Sequence, residues 1–289
     1  KKLLFEFLRI IKDIYPPFIL MENVPGINSD FNSNILNEFI DELENKNRER
    51  NEKYYICRAV INAADYGVPQ LRKRFVLHGV REDIYDELRV EGYGFHLPNA
   101  THSKGMREGF LPWVTVRQAI GDLPEIKAGE EYTGTLPIYN HKCADLSKEN
   151  LKKMIYIRQH GGSRDCLPED MILECHKKKD KYGNAFKGHK DVYGIMNPDK
   201  PSPTMTGGCL FYTKGRYGHY SQNRAISIRE AARFQTFPGD FIFSDSLATA
   251  ALQIGNAVPV KLVEASAQEF MQAINMIKKK RRKNRTTKK

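Results

Sequence analysis

Four consecutive apolar residues, Phe18-Ile19-Leu20-Met21, lie between two segments of helical periodicity, and this pattern limits the folds open to the chain. Upstream, Leu4, Phe7, Leu8, Ile11 and Ile14 recur at three- and four-residue steps, an amphipathic helix that Pro16-Pro17 ends. Downstream, Ile35, Leu36, Phe39, Ile40 and Leu43 repeat the same steps. A short apolar run without polar alternation suits a strand covered on both faces, so 18–21 is expected to be a buried parallel strand. Further strands are expected at about 54–61 and 74–80. Helices alternating with such strands make a doubly wound α/β fold, where ligands sit beyond the carboxyl ends of the strands. Glu22 stands at one of those ends.

The 289 residues suffice for one large α/β domain with a smaller module. From about 82 to 223, Gly, Pro, His and Tyr become frequent, and periodic stretches shorten to 116–122, 148–159 and 169–179. The regular pattern returns at Ser227-Ile228-Arg229-Glu230, a capping box opening a helix through Phe234. A last helix starts at Pro259 and carries Val263, Phe270, Ile274 and Ile277 on one face. We therefore expect a discontinuous α/β domain, residues 1–81 and 250–277, interrupted by a loop-rich module at 82–249. The net charge is +11, but 278–289 alone hold nine Lys or Arg and no acid, which leaves +2 for the other 277 residues. That segment is expected to be a basic, disordered tail, either solvated or gripping phosphates.

No apolar run approaches the 18 residues of a membrane span, and nothing reads as a signal peptide. Five cysteines, an odd number without CxxC spacing, fit a reducing, intracellular setting. His141, Cys143, Cys166, Cys175 and His176 are too irregularly spaced to read as a zinc site, and no metal is expected.

Four segments carry candidate chemistry. In Glu22-Asn23-Val24 the carboxylate could act as a general acid or hold an amino group; a capping or ion-pairing role is the plainer reading. In Gln70-Leu71-Arg72-Lys73-Arg74, alternation places Gln70, Arg72 and Arg74 on one face of an extended strand. Two guanidinium forks there suit phosphate or carbonyl oxygens, or simply a solvated edge. In the segment from Arg224 to Pro238, Arg229 and Arg233 lie four apart on one helical face, a bracing arrangement. Gly255-Asn256-Ala257-Val258-Pro259 is a tight turn into a helix, whose free N–H groups could meet a ligand or merely cap it.

Taken together and in this order, the chain resembles the C-terminal two-thirds of a C5-cytosine-specific DNA methyltransferase. The E-N-V, Q-x-R-x-R, R-x-x-x-x-R-E-x-A-R-x-Q-x-F-P and G-N-x-V-P elements all match, as do Thr115–Pro124 and Lys200-Pro201-Ser202-Pro203-Thr204. The resemblance implies part of a Rossmann-like methyltransferase domain with an inserted target-recognition domain. It also implies a base-flipping enzyme that moves a methyl group from S-adenosyl-L-methionine to carbon 5 of a cytosine in double-stranded DNA, after a cysteine thiolate adds to carbon 6. By position, Glu22 matches the glutamate that engages N3 and the amino group, and Asn23 the residue that orients its loop. Arg72 and Arg74 match the pair that reaches the cytosine O2 and a nearby phosphate, with Gln70 beside them. Asn256 and Val258 fall in the element that closes the cofactor pocket. Side chains between 125 and 223 are expected to read the DNA word, with Arg158, Gln159, Arg164 and Lys214 as candidates by type.

The same resemblance requires a Pro-Cys nucleophile loop and an F-x-G-x-G cofactor loop, and the 289 residues contain neither. The chain is accordingly expected to be a truncated copy or a split subunit, inactive until a polypeptide or N-terminal segment carrying those elements completes it. Restriction-modification in the cytoplasm of a prokaryote or phage-infected cell, on the nucleoid, is the implied setting. The alternative is a DNA-binding specificity subunit without catalysis; the tRNA-methylating branch of the fold has a more compact recognition region than the stretch from Arg81 to Arg224.

Overall fold

The computed structural model describes residues 2–29, 33–45, 53–173 and 191–286. The chain divides into two compact units: residues 1–66, 73–101 and 261–289 form one, and residues 67–72 and 102–260 the other.

The first unit is built on a three-stranded sheet in the order β1-β3-β2, with β1 Phe18–Asn23, β2 Tyr54–Asn62 and β3 Lys73–Arg81. Helices α1 Lys2–Ile14 and α2 Ser33–Glu44 cover one face. There Leu8, Ile11, Leu36, Phe39 and Leu43 pack with Ile19, Met21, Phe75 and Leu77. On the other face, α3 Glu82–Val90 and the last helix, α8 Val260–Thr286, bury Val80 against Ile84, Leu88, Ala273 and Ile277. With both faces covered, the middle strand loses its polar alternation: Phe75 to Val80 is buried without a break.

The polarity of the sheet corrects the sequence expectation. β1 pairs antiparallel with β3, as β2 does, so 18–21 is not a parallel strand next to its sheet neighbour. An apolar run reports that both faces are covered, and it carries no information on which strand lies alongside. In-register pairing sets Glu22 opposite Val76 and Asn23 opposite Phe75.

In the second unit, short helices stand among loops. These are α4 Val116–Ile120, α5 Lys148–Gln159, α6 Ile228–Phe234 and α7 Leu247–Asn256. The capping box at Ser227 forms as its spacing dictates: Ser227 Oγ accepts from the Glu230 N–H at 3.1 Å, and the Glu230 carboxylate accepts from the Ser227 N–H at 2.7 Å. The principal core joins Val116 and Ile120 to Met205, Leu210, Ile228, Phe234, Ala251 and Ile254. The unit boundaries fall later than the sequence division at 82 and 250. Residues 82–101 belong with the sheet, α7 with the loop-rich unit, and 67–72 cross into that unit although they sit between β2 and β3.

The basic segment also departs from expectation, because α8 runs through it to Thr286. Two cations hold it to α3: Lys280 Nζ lies 3.9 Å from a Glu91 carboxylate oxygen, and Arg281 bonds Glu87 at 2.6 and 3.1 Å. No described helix is long and apolar enough to cross a membrane.

Candidate active site

At the end of β1, the Glu22 carboxylate meets Arg74 Nε from β3 at 2.7 Å. The side chains are 22% and 12% exposed, so the pair is largely sheltered yet open on one side. Asn23 turns back on its own backbone: its Oδ1 accepts from the Val24 N–H at 2.8 Å, fixing the turn into the short 3-10 helix Pro25–Asn28. A carboxylate anchored through one oxygen can accept from an amino group or exchange a proton with a ring nitrogen. The adjoining guanidinium can donate to an oxygen of the same ring.

Gln70 and Arg72 have a different fate from Arg74. The strand begins only at Lys73, so the alternation that would align the three side chains on one face does not hold. Both residues belong to the second unit and are buried. Arg72 donates to the carbonyls of Met205 at 2.7 Å and of Gly255 and Ala257 at 3.0 Å each. Gln70 donates to the Phe234 carbonyl and to Gln235 Oε1, both at 3.0 Å, and accepts from the Met205 N–H at 2.8 Å. Gln235, which sequence reasoning used only as part of a motif, completes the cluster by donating to the carbonyls of Ile254 and Ala257 at 2.6 and 3.1 Å. Its own carbonyl accepts the Val260 N–H. The expectation that Arg72 reaches a cytosine O2 thus meets a guanidinium turned to backbone carbonyls.

These bonds converge on the turn after α7. Gly255 is required there by space: a Cβ would overlap the backbone of Thr206 and Gly207. In the clamped turn Asn256 is exposed and Val258 half-buried. This arrangement fits one rigid wall of a ligand site.

Behind α6 lies a buried charged cluster. Arg224 is fully buried and grips both carboxylate oxygens of Glu230 at 2.6 and 2.8 Å. Burial alone would push the Glu230 carboxyl up, but the bonds and charge of Arg224, with His219 and the Ser227 N–H, hold it below the usual range. His219 Nδ1 accepts from the backbone N–H groups of Ser221 and Gln222, so the ring proton belongs on Nε2, 3.5 Å from Glu230. Burial lowers its pKa to about 4, so the ring is neutral. Arg229 spans the carbonyls of Tyr139, Pro238 and Phe241, and Arg233 bonds the Ala119 carbonyl and Asp122. These arginines are braces.

Of the residues proposed to read DNA, Arg158 is a brace as well, holding the carbonyls of His219, Tyr220 and Gln222 and the side chain of Asn223. Gln159 and Lys214 are exposed and Arg164 is partly so. His141 uses both ring nitrogens, toward Ser227 Oγ and the Pro124 carbonyl, and no metal-ligating group forms among the described residues; Cys175 and His176 lie outside them. The thiols of Cys57, Cys143, Cys166 and Cys209 are all pushed up by burial, Cys209 to about 12, the reverse of an activated nucleophile.

Residues 1–272 match the profile of the C-5 cytosine-specific DNA methylases. The chain belongs to that family. It is 34% identical over 284 residues to the Type II methylase M.HgiDII of Herpetosiphon aurantiacus, a match spanning 95% of this chain and 71% of the relative. It is 32% identical over 266 residues to the Type II methyltransferase M1.HphI of Haemophilus parahaemolyticus, spanning 92% and 59%. Among solved structures, a DNA modification methyltransferase encoded within an E. coli prophage superposes with a TM-score of 0.55 at 23% identity, over 93% of this chain and 73% of that one. The superposition places this methylase in the Rossmann-like methyltransferase fold.

Proposed function

We propose that this methylase chain supplies the cytosine-engaging part of a DNA (cytosine-5-)-methyltransferase, and that the Glu22–Arg74 pair is the group that holds the flipped base. The pair's position at the end of β1, sheltered but open, carries the reading. Glu22 holds the exocyclic amino group and N3 of the cytosine, drawing electron density from carbon 6. Arg74 keeps the carboxylate in place and donates to the O2 of the same ring, while Asn23 fixes the turn that follows. The target base must leave the helix to reach such a site. Loops of the second unit serve as the target-recognition module, with Gln159, Arg164 and Lys214 the side chains of suitable type still turned outward.

S-adenosyl-L-methionine would provide an electrophilic methyl group. Asn256 and Val258, on their clamped turn, fit one wall of its site, and Gly255 is the residue that lets the turn sit there. No Pro-Cys or F-x-G-x-G element occurs in the 289 residues, and every described thiol is deactivated. The nucleophile and the remaining cofactor contacts therefore come from a segment or polypeptide outside them. Two observations favour such a complement: β1 is an edge strand of its sheet, and α1 beside it leaves Leu3 86% and Ile14 69% exposed. This reading places the protein on DNA in a prokaryotic cytoplasm, in a restriction-modification setting.

The decisive assay is labelled-methyl transfer to duplex DNA by the 289-residue chain, alone and mixed with the N-terminal part of a relative that carries both missing elements. Transfer is expected only in the mixture, falling about a hundredfold or more with Glu22→Gln. Transfer by the chain alone, or transfer indifferent to Glu22→Gln, would sink the proposal. DNA binding without any transfer in the mixture would instead favour a specificity subunit.

A further inference from the structure

The last turns of α8 are unlike the rest of the helix. Between Val260 and Ile277 the helix carries Lys261, Glu264 and Glu269, and it buries Leu262, Ala273 and Ile277. From Lys278 on, nine of twelve residues are Lys or Arg, with no acid and no apolar residue among them. At about 100° per residue, Lys280 and Arg281 fall on the side where they meet Glu91, at the end of α3, and Glu87 of α3, and Lys278, Lys279 and Arg282 fall on the opposite side. All three of these are exposed. The α3 contacts fix the direction of the helix, so the outward cations are presented on a held scaffold.

We propose that this outward face of α8 is a phosphate-binding prong for the backbone of duplex DNA, a contact additional to the Glu22 site. The proposal rests on the reading of the chain as a DNA-acting methyltransferase for the identity of its polyanion. The residues favour nucleic acid over a lipid surface, because a helix lying in a membrane interface needs an apolar face, and none accompanies the cations after Ile277. A phosphate backbone requires only closely spaced positive charge. The cations from Lys278 to Arg282 cover roughly 6 Å of helix, against about one charge per 1.7 Å of duplex axis. Contacts of this kind carry no base information. They hold the enzyme on DNA of any sequence and make its binding steeply salt-dependent.

The test uses the whole 289-residue chain and a non-cognate duplex of about 30 base pairs, with affinity followed by anisotropy from about 50 to 200 mM salt. Each phosphate contact contributes about 0.9 to the slope of log affinity against log salt, so neutralising Lys278, Lys279 and Arg282 together to Gln should lower that slope by about 2 to 3. Affinity at the low-salt end should weaken roughly tenfold or more. The charge-preserving variant Lys278→Arg/Lys279→Arg should keep the parent slope, and circular dichroism should show all three proteins equally folded. An unchanged slope in the folded neutral variant overturns the proposal. So does a parent chain that binds anionic phosphatidylglycerol vesicles but not DNA. Glu22→Gln should leave the slope as it is. Methyl transfer in the completed enzyme that is indifferent to Glu22→Gln, with salt-dependent binding intact, would therefore count against the catalytic reading and not against this one.

Discussion

Arg72 and Arg74 are two residues apart and do opposite jobs, which sets up the sharpest test at the residue scale. Arg72 is buried and supports three carbonyls; its removal takes a donor from each, and Gln235 still reaches the Ala257 carbonyl at 3.1 Å. Arg72→Ala should lower unfolding free energy by about 3 kcal/mol, measured by denaturant titration. Arg74→Ala removes a partly exposed ion pair and should cost less than about 1 kcal/mol, yet abolish methyl transfer in the completed enzyme. Equal stability losses in the two variants would show that Arg72 is no more structural than Arg74. Glycine gives a second residue-scale comparison. Gly255→Ala must move the backbone of Thr206 and Gly207 and should destabilise by about 2 kcal/mol. Gly239→Ala, with open space around the new methyl, should be close to neutral.

At the scale of elements, the caps and helices that hold charged groups govern the response to acid. His219 sits behind α6 with a folded pKa near 4, and His78 on β3 is lowered by burial to about 4 as well. Both lie below the ordinary value of 6.5, so protons bind the unfolded chain better. The stability they confer is complete above pH 6.5 and is lost as pH falls toward 4. Glu230 is depressed and acts lower down, its contribution disappearing as pH drops through its folded value, below the usual 4.5. The thermal midpoint should therefore be flat above pH 6.5 and decline between 6.5 and 4. His78→Asn/His219→Asn should flatten that decline; an unaltered profile would assign the acid sensitivity elsewhere. Elements governed by local chemistry were legible from residues alone. The Ser227 box, α5 at Lys148–Gln159 and the ends of β2 and β3 follow from spacing and capping. Strand polarity did not follow, because the apolar run of β1 is the same whether its neighbour is parallel or antiparallel. Glu22 and Arg74 could be picked out by type, but alternation failed at Arg72 because residues 71–72 are not strand. The helical state of the basic segment depends on Glu87 and Glu91, nearly two hundred residues away in sequence.

For the whole molecule, the chain passes between its two units four times, at 66/67, 72/73, 101/102 and 260/261. The first pair of crossings matters most. Residues 67–72 lie in sequence between two strands of the first unit but are bonded into the second through Gln70, Leu71 and Arg72. Leu71 donates its N–H to the Ser202 carbonyl, and Gln70 and Arg72 reach 205, 234–235 and 255–257. The loop-rich unit is therefore not a simple insertion that can be cut out at its ends. Exchanging it with that of the Herpetosiphon aurantiacus relative, 34% identical, should succeed only if 67–72 travel with 102–260. A chimera joined at 82 and 250 would cut through α7 and would set a foreign residue at 235 against this chain's Gln70, Arg72 and 254–257 turn. Such a chimera should be less soluble and melt several degrees lower than one joined at 102 and 260 that also carries the relative's 67–72, since mismatched buried polar groups each cost about 1 to 3 kcal/mol. Equal melting of the two chimeras would show that 67–72 serve either unit alike, and that the cluster around Gln70, Arg72 and Gln235 does not bind the segment to the loop-rich unit.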